Sequence, residues 1–324
     1  MDRCRVCHNQ DKLEIIQAKE MFIGTRLVFE YLYCSGCRSL SIRNMPESLD
    51  ELYRKYPAFD FDISSSGFWR QAFRRFILLN QNFLARFLLG FLDSWEDLAF
   101  KSLHGVNLNT SMKILDVGCG NGLLIKNLKE FGFKDLTGLD PHLKNTDQQP
   151  GFRMLKKSIY ELDEQFDVVM CHHSFEHLED IHSAAKRLIE LIAPGGLLLI
   201  RIPNIESYSF KKYKESWHGI HAPFHSVLPS EKGMRELFNN ECLKLIEKRQ
   251  EQLVELFLYN IQYSLDIGLL EPLGLLSVIG DKNLGSKIPP PFTRQDISYL
   301  KGKSKAVVNC EMADYVSYYY RKEG

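Results

Sequence analysis

Downstream of Lys113 the chain alternates between short apolar runs and stretches with helical spacing. "KILDVGC" predicts a strand, "GLLIKNLKEFG" a helix, and "DLTGLD" at 135–140 the next strand. "FRMLKKSIYEL" reads as a looser segment. Strand "FDVVMCHHS" at 166–174, helix "DIHSAAKRLIELIAP" at 180–194 and strand "GLLLIRIPN" at 196–204 follow, then a helix at 230–241 and strand "LKLIEKRQ". Such alternation implies a parallel sheet covered by helices on both faces. Residues 254–300 interrupt it with apolar helical material and a Pro-rich turn, "KIPPPF". The alternating, Tyr-rich "EMADYVSYYYRK" at 311–322 predicts an edge strand.

Upstream the pattern differs. Residues 1–40 read as a small β-rich module built around the hairpin "FIGTRLVFEYLYC", and 44–62 as a short helix and linker. Between Phe68 and Leu92, Trp69, Ala72, Phe73, Phe76, Leu79, Phe83, Phe87 and Phe91 recur at helical spacing among Arg70, Arg74, Arg75 and Arg86. This predicts an amphipathic helix or helix pair that packs on the next domain.

Charge narrows the function. The 324 residues carry 41 basic and 41 acidic side chains, so no basic excess points to nucleic acid as a partner. The N-terminus has no apolar signal core, and no uncharged stretch reaches the roughly 20 residues of a membrane span. A soluble, cytoplasmic chain is expected. Four of the eight cysteines form two C-x2-C pairs, Cys4 with Cys7 and Cys34 with Cys37. Without a secretion signal, this spacing reads as a tetrahedral zinc site rather than a disulfide framework. Four thiolates leave no open position, so the zinc should be structural.

"GCGNGLL" places Gly118, Gly120 and Gly122 in one turn after the first strand of the sheet, behind Asp116. Ligands of open parallel sheets bind beyond the carboxyl ends of the strands. The turn lacks the Lys-Ser/Thr ending of a nucleotide-triphosphate loop and the G-x-G-x-x-G spacing of a dinucleotide fold. Asp140 ends the second strand, where an acid can accept hydrogen bonds from ribose hydroxyls. Asp116 suits a cationic part of the ligand. Ribose and cation without pyrophosphate describe S-adenosylmethionine.

The ordered segments "ILDVGCGNGLL", "GLDP", "FDVVMCHHSFEHLED" and "LIAPGGLLLIRIPN" resemble the class I S-adenosylmethionine-dependent methyltransferases over roughly residues 110–250. The resemblance implies a Rossmann-like, doubly wound α/β fold with a mostly parallel seven-stranded sheet, here with an N-terminal zinc ribbon and helical insertions. It implies that Asp116, Gly118, Cys119 and Gly120 line the methionine end. Asp140, with Pro141 beside it, would grip the ribose; Ser158 and Ile159 would flank the adenine; Cys171 and His172 would close over the methionine portion.

The knuckle pair followed by "PESLDELY" resembles a bacterial subgroup associated with sugar, surface-glycan and secondary-metabolite methylation. Related sequences carry a Trp, a Pro and a His matching Trp217, Pro223 and His225. His225 is the first candidate for general base and His221 the second; Glu176 and His177 are expected to shape a loop. "IHAPFH" lacks the Tyr and Glu of sugar C-methyltransferases, which favours oxygen as the methylated atom.

The expected organisation is a zinc module over 1–45, a helical linker or cap over 46–109 and a cofactor-binding domain over 110–253. A helical insertion over 254–304 is expected to form the acceptor pocket, and a C-terminal edge strand spans 305–324. The expected activity is methyl transfer to a small-molecule or carbohydrate-type acceptor. The alternatives are an RNA methyltransferase gripping its substrate through the zinc module, and an inactive scaffold of the same fold.

Overall fold

The structure is a computed structural model that describes residues 2–49, 52, 68–80, 82–88, 95–270 and 292–324. Most of the expected 44–62 helix and linker, Phe91, and residues 271–291 of the expected acceptor pocket, with nearly all of the Pro-rich turn, lie outside them.

The first sheet begins with β1 (Leu13–Lys19), β2 (Val28–Cys34) and β3 (Leu40–Ile42), each antiparallel to the next. The large sheet is built from β4 (Lys113–Val117), β5 (Asp135–Leu139), β6 (Asp147–Gln149), β7 (Phe152–Leu155), β8 (Phe166–His172) and β9 (Ile192–Pro203). A two-residue strand, β10 (Val227–Leu228), pairs with β3 and so belongs to the first sheet. β11 (Leu243–Glu251) and β12 (Tyr315–Lys322) complete the large one. Its order is β11-β12-β9-β8-β4-β5-β7-β6. The central five strands, β9 to β7, are mutually parallel.

This is the expected Rossmann-like architecture with a short eighth strand, β6, hairpinned onto β7. The "FRML" run, read as loose, is the parallel strand β7. The larger correction concerns β12. Expected at an edge, it lies between β9 and β11, antiparallel to both. Its six residues Tyr315–Tyr320 are all buried, so both faces are covered and the apparent alternation is not one of exposure. β11 forms the edge instead.

Nine helices occur among the described residues: α1 (Phe68–Leu79), α2 (Phe83–Leu88), α3 (Trp95–Leu103), α4 (Leu123–Glu130), α5 (Ile181–Leu191), α6 (Tyr208–Tyr213), α7 (Glu231–Leu237), α8 (Val254–Ser264) and α9 (Arg294–Asn309). α5 shows why such helices cover the sheet. Ile181, Ala184, Ala185, Leu188 and Leu191 recur on one face and are buried. Asp180 caps the helix, its carboxylate accepting from Ser183 N at 3.1 Å. Asp180→Ala should cost about 1 kcal/mol, read as a lowered unfolding midpoint in urea at unchanged slope.

The apolar stripe upstream forms the expected helix pair, and its Leu78 and Leu79 join a core cluster with Ile114, Ile125 and Leu128 of the main domain. Arg74, Ile77 and Leu78 are buried, with the Arg74 guanidinium 5.1 Å from the centre of the Phe100 ring. Trp69, Phe83 and Phe87 are more than half exposed. On α1 Phe73, Phe76 and Leu79 are partly buried, so the exposed aromatics are Trp69 at its start and Phe83 and Phe87 on α2.

Candidate active site

The sheet order reverses at β4 and β8: the chain runs outward through β5 and β7 on one side and through β9 on the other. A crevice opens where such a reversal occurs, at the carboxyl ends of the strands. Asp116 of β4 and His172, the last residue of β8, lie beside it, with Asp116 Oδ1 3.9 Å from His172 Nδ1. Asp116 is buried, and burial raises its pKa. His172 Nε2 is 2.8 Å from Ser102 Oγ, which ties α3 to the crevice.

The glycine turn runs through the left-handed region, with φ of 69° at Gly118, 55° at Gly120 and 75° at Gly122. The three positions are glycine for different reasons. A Cβ on Gly118 would lie 2.3 Å from Ser174 Cβ, and one on Gly122 2.4 Å from the Met154 methyl. A Cβ on Gly120 would meet no atom within 4 Å. Space is therefore left open at the centre of the turn, where a ligand can approach the backbone.

Asp140 links this turn to the tip of β5. Its carboxylate accepts from Gly120 N at 3.0 Å and from His142 N at 2.8 Å. Gly118 N bonds Leu139 O at 2.7 Å. The other residues implied for cofactor binding are placed as follows. Pro141 is exposed and follows Asp140 directly; Cys119 is half-buried in the turn. Cys171 is fully buried, and burial pushes its thiol pKa up. Ser158 caps a single helical turn, with Ser158 N donating to Glu161 Oε2 at 2.7 Å. Ile159 is buried in the hydrophobic core beside Leu155 and Leu162.

A second constellation forms where the segment after β8 meets the loop before β10. Glu176 is fully buried, and burial raises its pKa to about 8. His173 Nδ1 lies 3.3 Å from Glu176 Oε1, and the other ring nitrogen of His173 pairs with the Arg201 guanidinium. Arg201 in turn donates to Glu251 Oε2 at 2.6 Å. His225 Nε2 is 3.8 Å from Glu176 Oε1. The rings of His177 and His221 lie 4.8 Å and 5.0 Å from that of His225. Desolvation lowers the pKa of all three, to about 4 for His177, about 3 for His221 and well below the ordinary range for His225. They are neutral at neutral pH.

The sequence reading named His225 and His221 as bases and Glu176 and His177 as loop-shaping, but not the network that joins Glu176 to His173, Arg201 and Glu251. Only "HHSFEH" carried a signal for part of it.

The cysteines converge as expected. Cys4 Sγ is 3.5 Å from Cys37 Sγ, and Cys7 Sγ is 3.6 Å from Cys34 Sγ. All four sulfurs lie within 4.8 Å of one another, and none is in a disulfide. This donor set fits a closed tetrahedral zinc site.

Parts of this chain are similar to known proteins. A relative from Rickettsia bellii named ubiquinone biosynthesis O-methyltransferase is 35% identical over 105 residues, covering 29% of this chain and 43% of that protein. One of the same name from Stutzerimonas stutzeri is 29% identical over 142 residues, covering 36% and 61%. The chain thus spans less than two thirds of these relatives. Among solved structures, the complex of the Haloferax volcanii Trm112 methyltransferase activator with a methyltransferase gives a TM-score of 0.47 at 14% identity, covering 78% of this chain and 98% of that one. The cyclopropane synthase MmaA2 from Mycobacterium tuberculosis gives 0.44 at 15% identity, covering 86% and 99%. A family described as a methyltransferase domain matches residues 84–248, half of the chain, and the chain accordingly belongs to the class I S-adenosylmethionine-dependent methyltransferases.

Proposed function

We propose that this methyltransferase acts on an oxygen of a small-molecule or carbohydrate-type acceptor, with a structural zinc holding its N-terminal module. The observation that carries the reading is Asp140, bound to the glycine turn at the crevice where strand order reverses. The relatives from Rickettsia bellii and Stutzerimonas stutzeri are named ubiquinone biosynthesis O-methyltransferases, which favours oxygen.

S-Adenosylmethionine supplies an electrophilic methyl group, so the chain's task is positioning. Asp140 keeps the turn closed against β5 and offers its carboxylate to ribose hydroxyls. The open space at Gly120 admits the ligand to the backbone. Asp116 brings negative charge to the crevice for a cationic centre, and Cys119 and His172 border that end. Pro141 stiffens the exit from β5, while Ser158 and Ile159 shape the loop beyond β7. Neutral His225, its Nδ1 2.8 Å from Gly219 O, keeps Nε2 as a proton acceptor for a hydroxyl that is losing its proton. His221 lies beside it, its ring tilted by 43°, as the second candidate. Cys171 packs under the strand end.

Titration with S-adenosylhomocysteine tests the reading. Wild-type protein should bind it, and Asp140→Ala should weaken binding about 10–100-fold, as expected for loss of a charged hydrogen-bonding group. Equal affinity for both proteins would remove the basis of the proposal.

A further inference from the structure

Glu176, His177 and His225 are more than neighbours of the crevice. One donor atom from each lies within 4.8 Å of the other two. His177 Nδ1 lies 2.9 Å from Phe224 O and His225 Nδ1 2.8 Å from Gly219 O. A carbonyl only accepts, so each ring donates through Nδ1, and a neutral imidazole then holds a lone pair on Nε2. Metal-ligating histidines are fixed in this way, with one nitrogen donating to the backbone and the other turned to the ion.

The third member is a carboxylate in the same condition. Glu176 is fully buried, and its Oε2 has no hydrogen-bond partner among the described residues. Its Oε1 faces His173 at 3.3 Å and His225 Nε2 at 3.8 Å, the latter too long for a hydrogen bond. With Glu176 ionised, acceptors gathered at this spacing repel one another unless something positive lies among them. One proton satisfies one contact; a cation satisfies all three.

The surroundings hold these groups in place. Ser226 N donates to Glu176 O at 2.8 Å, Ser226 Oγ donates to Leu178 O at 2.8 Å, and Tyr31 Oη donates to His225 O at 3.0 Å. Both loops are therefore stitched together before any ligand arrives, the preorganisation a metal centre needs.

We propose that Glu176, His177 and His225 form a second metal site, for a first-row divalent cation such as Zn2+, Mn2+ or Fe2+, separate from the cysteine cluster. Two imidazoles and one carboxylate suit these ions better than Mg2+ or Ca2+, which take oxygen ligands. Three protein ligands leave coordination positions open, as in catalytic rather than structural sites. Resting on the function proposed above, the open position takes an oxygen of the acceptor and increases its acidity. His225 then serves as a ligand, the ion lowers the pKa of the bound hydroxyl, and the proton it loses passes to His221, the second candidate base, whose ring lies 5.0 Å from that of His225.

The test uses full-length protein with its cysteine cluster loaded. Metal analysis after equilibration with Zn2+ or Mn2+, and titration calorimetry with each ion, should show one cation beyond the cysteine-bound zinc. Glu176→Gln combined with His177→Asn, and separately His225→Asn, should weaken this second binding by more than about 100-fold, beyond what loss of an outer-shell partner produces. Cobalt substitution should give thiolate charge-transfer bands in every variant, with a further weak ligand-field spectrum in the wild type alone. Binding of S-adenosylhomocysteine, measured in parallel, reports whether each variant is folded. A wild-type chain that takes up no second cation, or a second cation that survives these substitutions in folded protein, would overturn the proposal. Failure of wild-type protein to bind S-adenosylhomocysteine would sink the proposed function and leave the metal site standing.

Discussion

Cys37→Ser is expected to release the zinc, unfold residues 2–45 and loosen the histidine loop of the main domain. A module of this size buries too little apolar surface to hold itself without a staple. The apparent binding energy of a structural zinc, about 10–16 kcal/mol in small peptides, is then largely folding energy. The consequences reach further because the module's sheet does not end with the module. β3 pairs with β10, two residues beyond His225, and Ile42 N donates to Ser226 O at 2.8 Å. Ser230 Oγ donates to Cys37 O itself, and His182 of α5 meets Val6 O at 2.9 Å. Hydrogen exchange should therefore speed up at residues 225–230 as well as in the module. S-Adenosylhomocysteine affinity should change only a few-fold, since the Asp140 carboxylate is held by Gly120 N and His142 N, both within the main domain. Unchanged protection at 225–230 in zinc-free protein would contradict this coupling.

Gly118→Ala should cost roughly 2–5 kcal/mol and abolish measurable cofactor binding. The added methyl would lie 2.3 Å from Ser174 Cβ in a turn that already has φ of 69°. Ser174 cannot easily retreat, because its hydroxyl donates to Val117 O at 2.6 Å on the same strand end. Gly122→Ala should be milder, since its obstacle is the flexible end of Met154. Gly120→Ala should retain most of its stability, with a penalty of about 1 kcal/mol for left-handed backbone, yet bind S-adenosylhomocysteine weakly. Thermal unfolding and calorimetry on the three variants check this order. A Gly120→Ala protein with wild-type affinity would show that the open face of the turn is not where the ligand lies.

The glycine turn, Asp140 and the cysteine cluster were legible because each is a local pattern in which spacing alone carries the chemistry. The parallel sheet was legible for the same reason. β7 was not: four residues followed by Lys156 and Lys157 offer too short a run to distinguish strand from loop. The error at β12 came from reading an alternating, Tyr-rich segment as an edge strand, whereas its tyrosines are buried and Tyr319 Oη reaches Ser102 O at 2.6 Å. The histidine cluster shows the sharper limit. Glu176 looks like a residue at a strand–helix junction until the fold brings His225 to it, and nothing local announces that meeting. Arg201, on a strand of apolar neighbours, is equally silent in sequence.

The position of β12 bears on how the chain is made. β9 and β11 are both synthesised before residues 315–322, yet they do not pair with each other. During translation each waits with an unsatisfied backbone ladder, a hazard for self-association. The sheet closes only when a late segment slides between two earlier ones, a non-local event of the kind that slows folding. Shortening the polypeptide by this one strand would therefore split the sheet through its interior, leaving β11 detached from the rest.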